Sequence, residues 1–403
     1  MVGRRKLGRW LVVLATAVAL SGCASEIVRE GLTDPALADR AMVADLPGAR
    51  FWGDEVTSDF IGELRRRLPG MPRIAQDAAT RNGRPVVEIL ALSGGGGDGA
   101  YGAGILAGWS RRGDRPEFEV VTGVSAGAII APFAFLGAKY DNALKEIWTQ
   151  YQTSQIVTAQ ILPGIFGGAS LGDATQLAQL IAKYADARLL REVANEYKRG
   201  RLLLIGTTNL DAQRPVVWNM GEIAASGHPH SLDLFRKVIM ASAAIPGALP
   251  PVEIPVTVDG KRYDELHVDG GTTREVFVSP LNVPFRTYDV LYSKPPIRRI
   301  YVIKNGKASP EQQVVQAKTL SIVARSISTL IKNQNLGELY RIYRMAKDAK
   351  AEFHFTSIPS SFSVVAKEFF DPVYQTALFE EGKRLGLAGD HWIDKPPDLI
   401  APR

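Results

Sequence analysis

Gly123-Val124-Ser125-Ala126-Gly127 sets one hydroxyl between two glycines, the pattern of a G-x-S-x-G nucleophile elbow. Such an elbow presents a serine oxygen for attack on an acyl carbonyl. It needs a strand before it, a helix after it and a sharp turn between. Phe118–Val121 supplies an apolar run before the motif, and Ala126–Leu136 a small-residue helical run after it. A Cβ at Gly123 or Gly127 would crowd the strand–helix crossing. The pentapeptide also fits an ordinary turn between strand and helix, so its weight comes from this context.

A second glycine motif, Ser93-Gly94-Gly95-Gly96-Gly97-Asp98-Gly99, follows an earlier strand-like run and opens another helix. Backbone N–H groups in such a loop can approach an anion closely. Gly94, Gly96 and Gly99 satisfy the dinucleotide pattern G-x-G-x-x-G, with Glu117 and Glu119 about twenty residues on. Those acids stand at the start of the second strand, whereas a ribose-binding acid belongs at the carboxyl end. The better reading is an oxyanion hole, in which the N–H groups of Gly94, Gly95, Gly96 and Gly97 stabilise charge on a tetrahedral intermediate. A merely tight turn would not need four consecutive glycines, which lose much backbone entropy on folding.

A serine hydroxyl needs a base. The five histidines are His228, His230, His267, His354 and His391, and none has a telling local context. His228 and His230 lie in a turn-like segment, and His354 in a short strand-like run. Asp269 closes an alternating strand and is followed by Gly270-Gly271, which lets the chain turn away and leaves room for another backbone. A turn aspartate capping a strand end has the same appearance, as at Asp259-Gly260. His267 shares a strand face with Asp269 by the two-residue period, as a neighbour of the site. On the residues alone, a triad and an aspartate base both remain open.

The elements that must position these groups alternate. A buried strand runs Val86–Leu92, a helix Tyr101–Arg111, a strand Phe118–Thr122 and a helix Ala126–Leu136. Helices follow at 141–152, 173–185 and 187–198, then a strand Arg201–Thr207 and a helix Leu232–Ala243. Val252–Val258 and Arg262–Val268 flank Asp259-Gly260 as a β-hairpin. Arg299–Lys304 is a further strand, and a long amphipathic stretch Glu311–Lys350 is helical. Strands alternating with helices predict an α/β fold with a mostly parallel central sheet covered on both faces. The expected division is a leader at 1–22, an N-terminal tether or arm at 23–85, a catalytic domain at 86–305 and a helical C-terminal extension packed on it at 306–403.

The 403 residues are 46% hydrophobic and 22% charged, an ordinary globular composition with net charge +6. Residues 1–22 hold Arg4, Arg5, Lys6 and Arg9 and no acid; the remainder carries 44 basic against 42 acidic side chains. The basic balance therefore belongs mostly to a leader and gives no support for nucleic-acid binding. The apolar run Trp10–Leu20 is too short to span a bilayer, which takes about 20 residues. Leu20-Ser21-Gly22-Cys23 contains the only cysteine and resembles a bacterial lipobox. The resemblance implies cleavage before Cys23 and acylation of it, and two or three acyl chains anchor a protein stably. With Ala24 rather than Asp after the cysteine, it also implies an exported, periplasm-facing or outer-membrane address.

Taken together, the motifs resemble the patatin-like phospholipase family. Leu92–Ala100 is similar to its glycine-rich oxyanion loop, Gly123–Gly127 to its elbow and Asp269-Gly270-Gly271 to its D-G-[GA] motif. Ala241-Ser242-Ala243-Ala244-Ile245-Pro246-Gly247, running into Pro250-Pro251-Val252, is similar to its pre-hairpin segment. The resemblance covers about 86–305. It implies a three-layer α/β/α fold and a Ser-Asp dyad without histidine, with Ser125 as nucleophile, Asp269 as general base and the 94–97 loop as oxyanion hole. It implies hydrolysis of phospholipids or other lipid esters through an acyl-enzyme; transfer of the acyl group to an alcohol, or a non-catalytic lipoprotein, are the other readings. The chain departs from the family in carrying Asp98 where Arg or Lys is usual. An acid there suits the helix dipole but disfavours an anionic headgroup. No cofactor is expected, since no cluster of His, Cys and acids has zinc spacing and no calcium loop is present.

Overall fold

The computed structural model describes residues 29–55, 80–159, 170, 172–279, 283–292, 294–312 and 314–397. The leader, the lipobox with Cys23 and the Arg-rich stretch near Phe60–Leu68 lie outside the described residues.

The labelled strands are β1 (Arg50–Trp52), β2 (Arg84–Leu92), β3 (Val120–Val124), β4 (Leu202–Asn209), β5 (Arg214–Asn219), β6 (Val252–Val258), β7 (Lys261–Asp269), β8 (Ile297–Lys307) and β9 (Glu352–Ile358). The labelled helices are α1 (Gly99–Arg112), α2 (Ala126–Leu136), α3 (Asp141–Thr149), α4 (Thr175–Tyr184), α5 (Ala187–Lys198), α6 (Ser231–Ser242), α7 (Thr319–Asp348) and α8 (Pro372–Ala388). The main sheet runs β1-β5-β4-β3-β2-β8-β9. Strands β4, β3, β2, β8 and β9 are mutually parallel, and β5 and β1 add antiparallel at one edge.

The period of two in each strand feeds two cores. Leu90, Leu92, Tyr301 and Ile303 face one side, packed with α1, α2, α6 and α8. Ile89, Ala91, Ile300 and Val302 face the other, packed with Leu339, Ile342 and Ala346 of α7. Helices therefore cover both faces of a mixed, mostly parallel sheet, as expected.

Most elements fall where the sequence places them, and α2 and α5 keep their expected bounds. Strand β3 runs two residues further than predicted, to Val124, because Val124 still pairs with Gly206 of β4. Asp259 (φ 51°) and Gly260 (φ 78°) both take positive φ, as a two-residue hairpin turn requires. Strand β5 was not anticipated. Helix α7 starts at Thr319, eight residues later than the amphipathic stretch suggests. Ile322, Val323 and Leu330 in its first half face solvent, so packing grips only the second half.

The stretch 306–403 is not purely helical: it supplies β9, which pairs in parallel with β8 and extends the sheet. Its helix α8 meets α1 backbone to backbone. A Cβ on Gly104 would stand 2.2 Å from the Phe379 carbonyl oxygen, and one on Gly386 would stand 2.3 Å from that of Ile105. In the arm, β1 joins the sheet edge and Arg50 pairs with the buried Glu265 of β7, Nη2 donating to Oε1 at 2.9 Å.

Candidate active site

The edge of β4 is shared. Strand β3 occupies it up to Gly206, and β7, running antiparallel, occupies it from Thr207 to Asn209. The two strands therefore meet end to end there. The chain must leave the sheet after Val124, and it does so at Ser125, with φ 55° and ψ −122°. A non-glycine residue in this conformation is strained by about 1–3 kcal/mol. Its surroundings hold it: the Ser125 N–H donates to Ser242 Oγ at 3.0 Å, and that hydroxyl donates to the Gly206 carbonyl at 2.6 Å. The flanking glycines allow the close crossing expected of them. A Cβ at Gly123 would lie 2.3 Å from the Gly127 oxygen, and one at Gly127 would lie 2.3 Å from the Leu92 oxygen.

Asp269 ends β7 opposite Thr207. Its N–H donates to the Ala244 carbonyl at 2.9 Å, and its Oδ1 accepts from the Gly271 N–H at 2.7 Å. The Ser125 side chain lies near enough to the same carboxylate to lower its titration. Gly270 packs against the β4 backbone; a Cβ there would meet the Gly206 oxygen at 2.5 Å. Ser125 and Asp269 are each only 6% exposed. Burial pushes the Asp269 carboxyl up to about 7, with Glu275 adding repulsion and the Ser125 and Gly271 hydrogen bonds opposing the rise.

The glycine loop comes to the same place from β2. A Cβ on Gly94 would stand 3.7 Å from Ser125 Oγ. The Gly94 N–H itself is spent on the Glu275 carbonyl at 3.1 Å, which removes it from the four expected oxyanion donors. Among the described residues, the N–H groups of Gly95, Gly96 and Gly97 meet no backbone acceptor. Gly95 (φ 153°) could not be another residue, since its Cβ would sit 1.9 Å from the Asn305 oxygen.

Asn305 was not singled out in the sequence, yet it clamps this loop. Its Nδ2 donates to the Ser93 carbonyl at 2.7 Å, and its Oδ1 accepts from the Gly102 N–H at 3.0 Å. Its N–H donates to Ser93 Oγ at 2.9 Å. Glu275 is a second buried acid beside Gly94, and Lys304 stands 3.8 Å from it. Asp98 heads α1 without capping it: the carboxylate accepts from Tyr374 Oη at 2.7 Å, and burial raises it to about 6. Gly99 packs its backbone on Trp148.

The histidines are engaged elsewhere. His267 is fully buried, with Nδ1 on Thr207 Oγ1 at 3.0 Å and Nε2 on Glu265 at 3.1 Å. His354 stacks on Tyr301, and His391 lies against Trp392. His228 and His230 sit together in the turn before α6.

The family model for patatin-like phospholipases matches residues 90–283, a span that contains the glycine loop, the elbow and Asp269. Residues 90–283 form a patatin-like phospholipase domain. What the patatin-like family supports in general is lipid acyl hydrolase chemistry. Strand β8 and the loop clamp Asn305 lie past the matched span. No curated protein matches the chain. Among solved structures, the crystal structure of VipD from Legionella pneumophila is similar at 10% identity, over 78% of this chain and 70% of that one, with a TM-score of 0.33.

Proposed function

We propose that the protein hydrolyses the acyl esters of phospholipids or related lipids with a Ser125–Asp269 dyad. The observation that carries the reading is the hydroxyl of Ser125, on a strained elbow, within reach of a buried carboxylate that titrates near neutrality. A base of that kind is matched to its task at pH 7. Asp269 takes the Ser125 proton as Oγ attacks the ester carbonyl. The N–H groups of Gly95, Gly96 and Gly97 receive the developing oxyanion. The protonated Asp269 then donates to the leaving alcohol, and an acyl-Ser125 ester remains. Water, deprotonated by the same carboxylate, attacks that ester; the fatty acid leaves and Ser125 recovers its proton.

Phe369 supports a lipid substrate. It is 50% exposed, and its ring lies 3.2 Å from where a Cβ of Gly96 would stand, so an apolar surface borders the oxyanion loop. The lipobox adds a place of action. Acylated at Cys23, the exported chain would be held at a membrane surface beside its substrate. Cys23→Ser should then move the protein from the membrane to the soluble fraction; membrane retention by that variant would refute the anchor.

The test of the activity is a panel of phospholipid and neutral glyceride substrates, read as fatty-acid release, with Ser125→Ala as control. Release from at least one lipid class by the wild type and none by the variant is expected. No release by the wild type, or equal release by both, would overturn the reading.

A further inference from the structure

The turn that carries Asp269 also carries an arginine whose two terminal guanidinium nitrogens have no hydrogen-bond partner. A cavity of about 460 Å³ lies against it, walled by Thr272, Thr273 and Arg274 on one side and by Gln334, Glu338 and Arg341 of α7 on the other. Arg274 is 5% exposed, and both its terminal guanidinium nitrogens are buried and meet no acceptor. Two carboxylates border the same cavity, but each is bonded to a different arginine: Glu338 to Arg341 at 2.6 Å, and Asp54 to Arg214 at 3.0 Å. Arg274 thus keeps an always-charged fork of donors beside that volume, with only the longer-range attraction of Glu338 and Asp54 to offset its charge. A buried group of this kind is costly unless something accepts from it.

The place of the cavity indicates what that acceptor is. The Arg274 N–H donates to the Gly270 carbonyl at 2.7 Å, and the Gly271 N–H donates to Asp269. One tight turn therefore holds the proposed base at one end and the free guanidinium at the other. Thr272, exposed, stands at the rim with a hydroxyl. A planar fork matches the oxygen pair of a phosphate. In a glycerophospholipid only the glycerol separates such a phosphate from the ester carbonyl.

We infer that Arg274 binds a phosphate group, and that this group is the headgroup phosphodiester of a glycerophospholipid whose ester carbonyl lies at Ser125. The second half of this inference rests on the proposed Ser125–Asp269 reading; the first half does not. A free phosphate ion is the other source of the same chemistry.

The experiment has a binding arm and a turnover arm, both on the full chain. In the first, the Ser125→Ala protein is titrated calorimetrically with inorganic phosphate and with glycerophosphocholine. Both should bind, and adding Arg274→Gln should weaken each about tenfold or more. Arg274→Lys, which keeps the charge and loses the fork, should fall between. In the second arm, the ratio of kcat/KM for phosphatidylcholine to that for a diacylglycerol of the same acyl chains should fall about tenfold in Arg274→Gln, through KM. Phosphate binding lost with an unchanged ratio would assign the site to the free ion. No phosphate binding by the intact site, or equal binding by Arg274→Gln, would overturn the inference. A wild type that hydrolyses neither lipid would refute the proposed activity, while the titration would still decide the role of Arg274.

Discussion

Asp269 stands opposite Thr207 on β4, the register place the residue after Val124 would take if β3 continued. That exchange of partners is what brings the aspartate to Ser125. Strand β3 cannot go on, so its next residue must turn out of the sheet, and the strand that replaces it ends on the carboxylate. The elbow strain and the closeness of the two groups have one topological cause.

The raised titration of Asp269 sets the pH profile. As the proposed base it must be ionised, so kcat/KM should climb about tenfold per pH unit below 7 and level off above it. Initial rates on a neutral ester between pH 5 and 9 check this, and a profile flat through 7 would contradict it.

The same shift links to stability with the opposite sign. The folded value, about 7, lies above the ordinary 3.8. The contribution is therefore complete below pH about 4 and is lost as pH rises through 7. Asp269→Asn, which does not ionise, should be more stable than wild type at pH 8, on the order of 1–2 kcal/mol. Urea unfolding at pH 4 and 8 reads it; equal stabilities at pH 8 would count against the buried charge.

Asn305→Ala should lower kcat about 10- to 100-fold with little change in KM. The side chain touches no substrate position, but it pins Ser93 and Gly102 at the two ends of the glycine loop. A loss confined to KM would show that the loop holds its shape without this clamp.

Ser242→Ala should destabilise the fold by about 1–3 kcal/mol, because it strands the Ser125 N–H and the Gly206 carbonyl in a buried site. Denaturant unfolding measures it directly. A wild-type midpoint would mean that the elbow needs no such support.

Asp98 should bias the headgroup. Its carboxylate, raised to about 6, is charged at pH 7.5 beside the glycine loop. Asp98→Arg should lower the ratio of phosphatidylcholine to phosphatidylglycerol hydrolysis, and acidification below 6 should lower it in the wild type as well. An unchanged ratio in the variant would discard this idea.

What could be read in the chain, and what could not, follows from how far apart the partners lie. The elbow, Asp269-Gly270-Gly271 and the glycine loop are local patterns, and each was visible in its own few residues. So were α2 and α5, through their periodicity. The exclusion of Gly94 as a donor was not visible, since the carbonyl that takes its N–H belongs to Glu275, on a distant segment. Ser242 and Asn305 act through strand register, which no single segment encodes. Strand β5 carries little strand signal of its own, since it is six residues long and starts with Arg214-Pro215. Strand β9 follows directly on the long helix α7, whose periodicity is the stronger signal in that stretch. His267 has both ring nitrogens committed to Thr207 and Glu265, and the Thr207 partner lies on another strand that its own segment does not show.

We propose that Ser125 is activated by Asp269 and by no histidine. Labelling with a serine-reactive fluorophosphonate tests it most directly. Labelling at Ser125 should vanish in Ser125→Ala, fall steeply in Asp269→Asn and survive replacement of His228, His230, His354 or His391. Labelling unchanged in Asp269→Asn but lost on changing one of those histidines would contradict it.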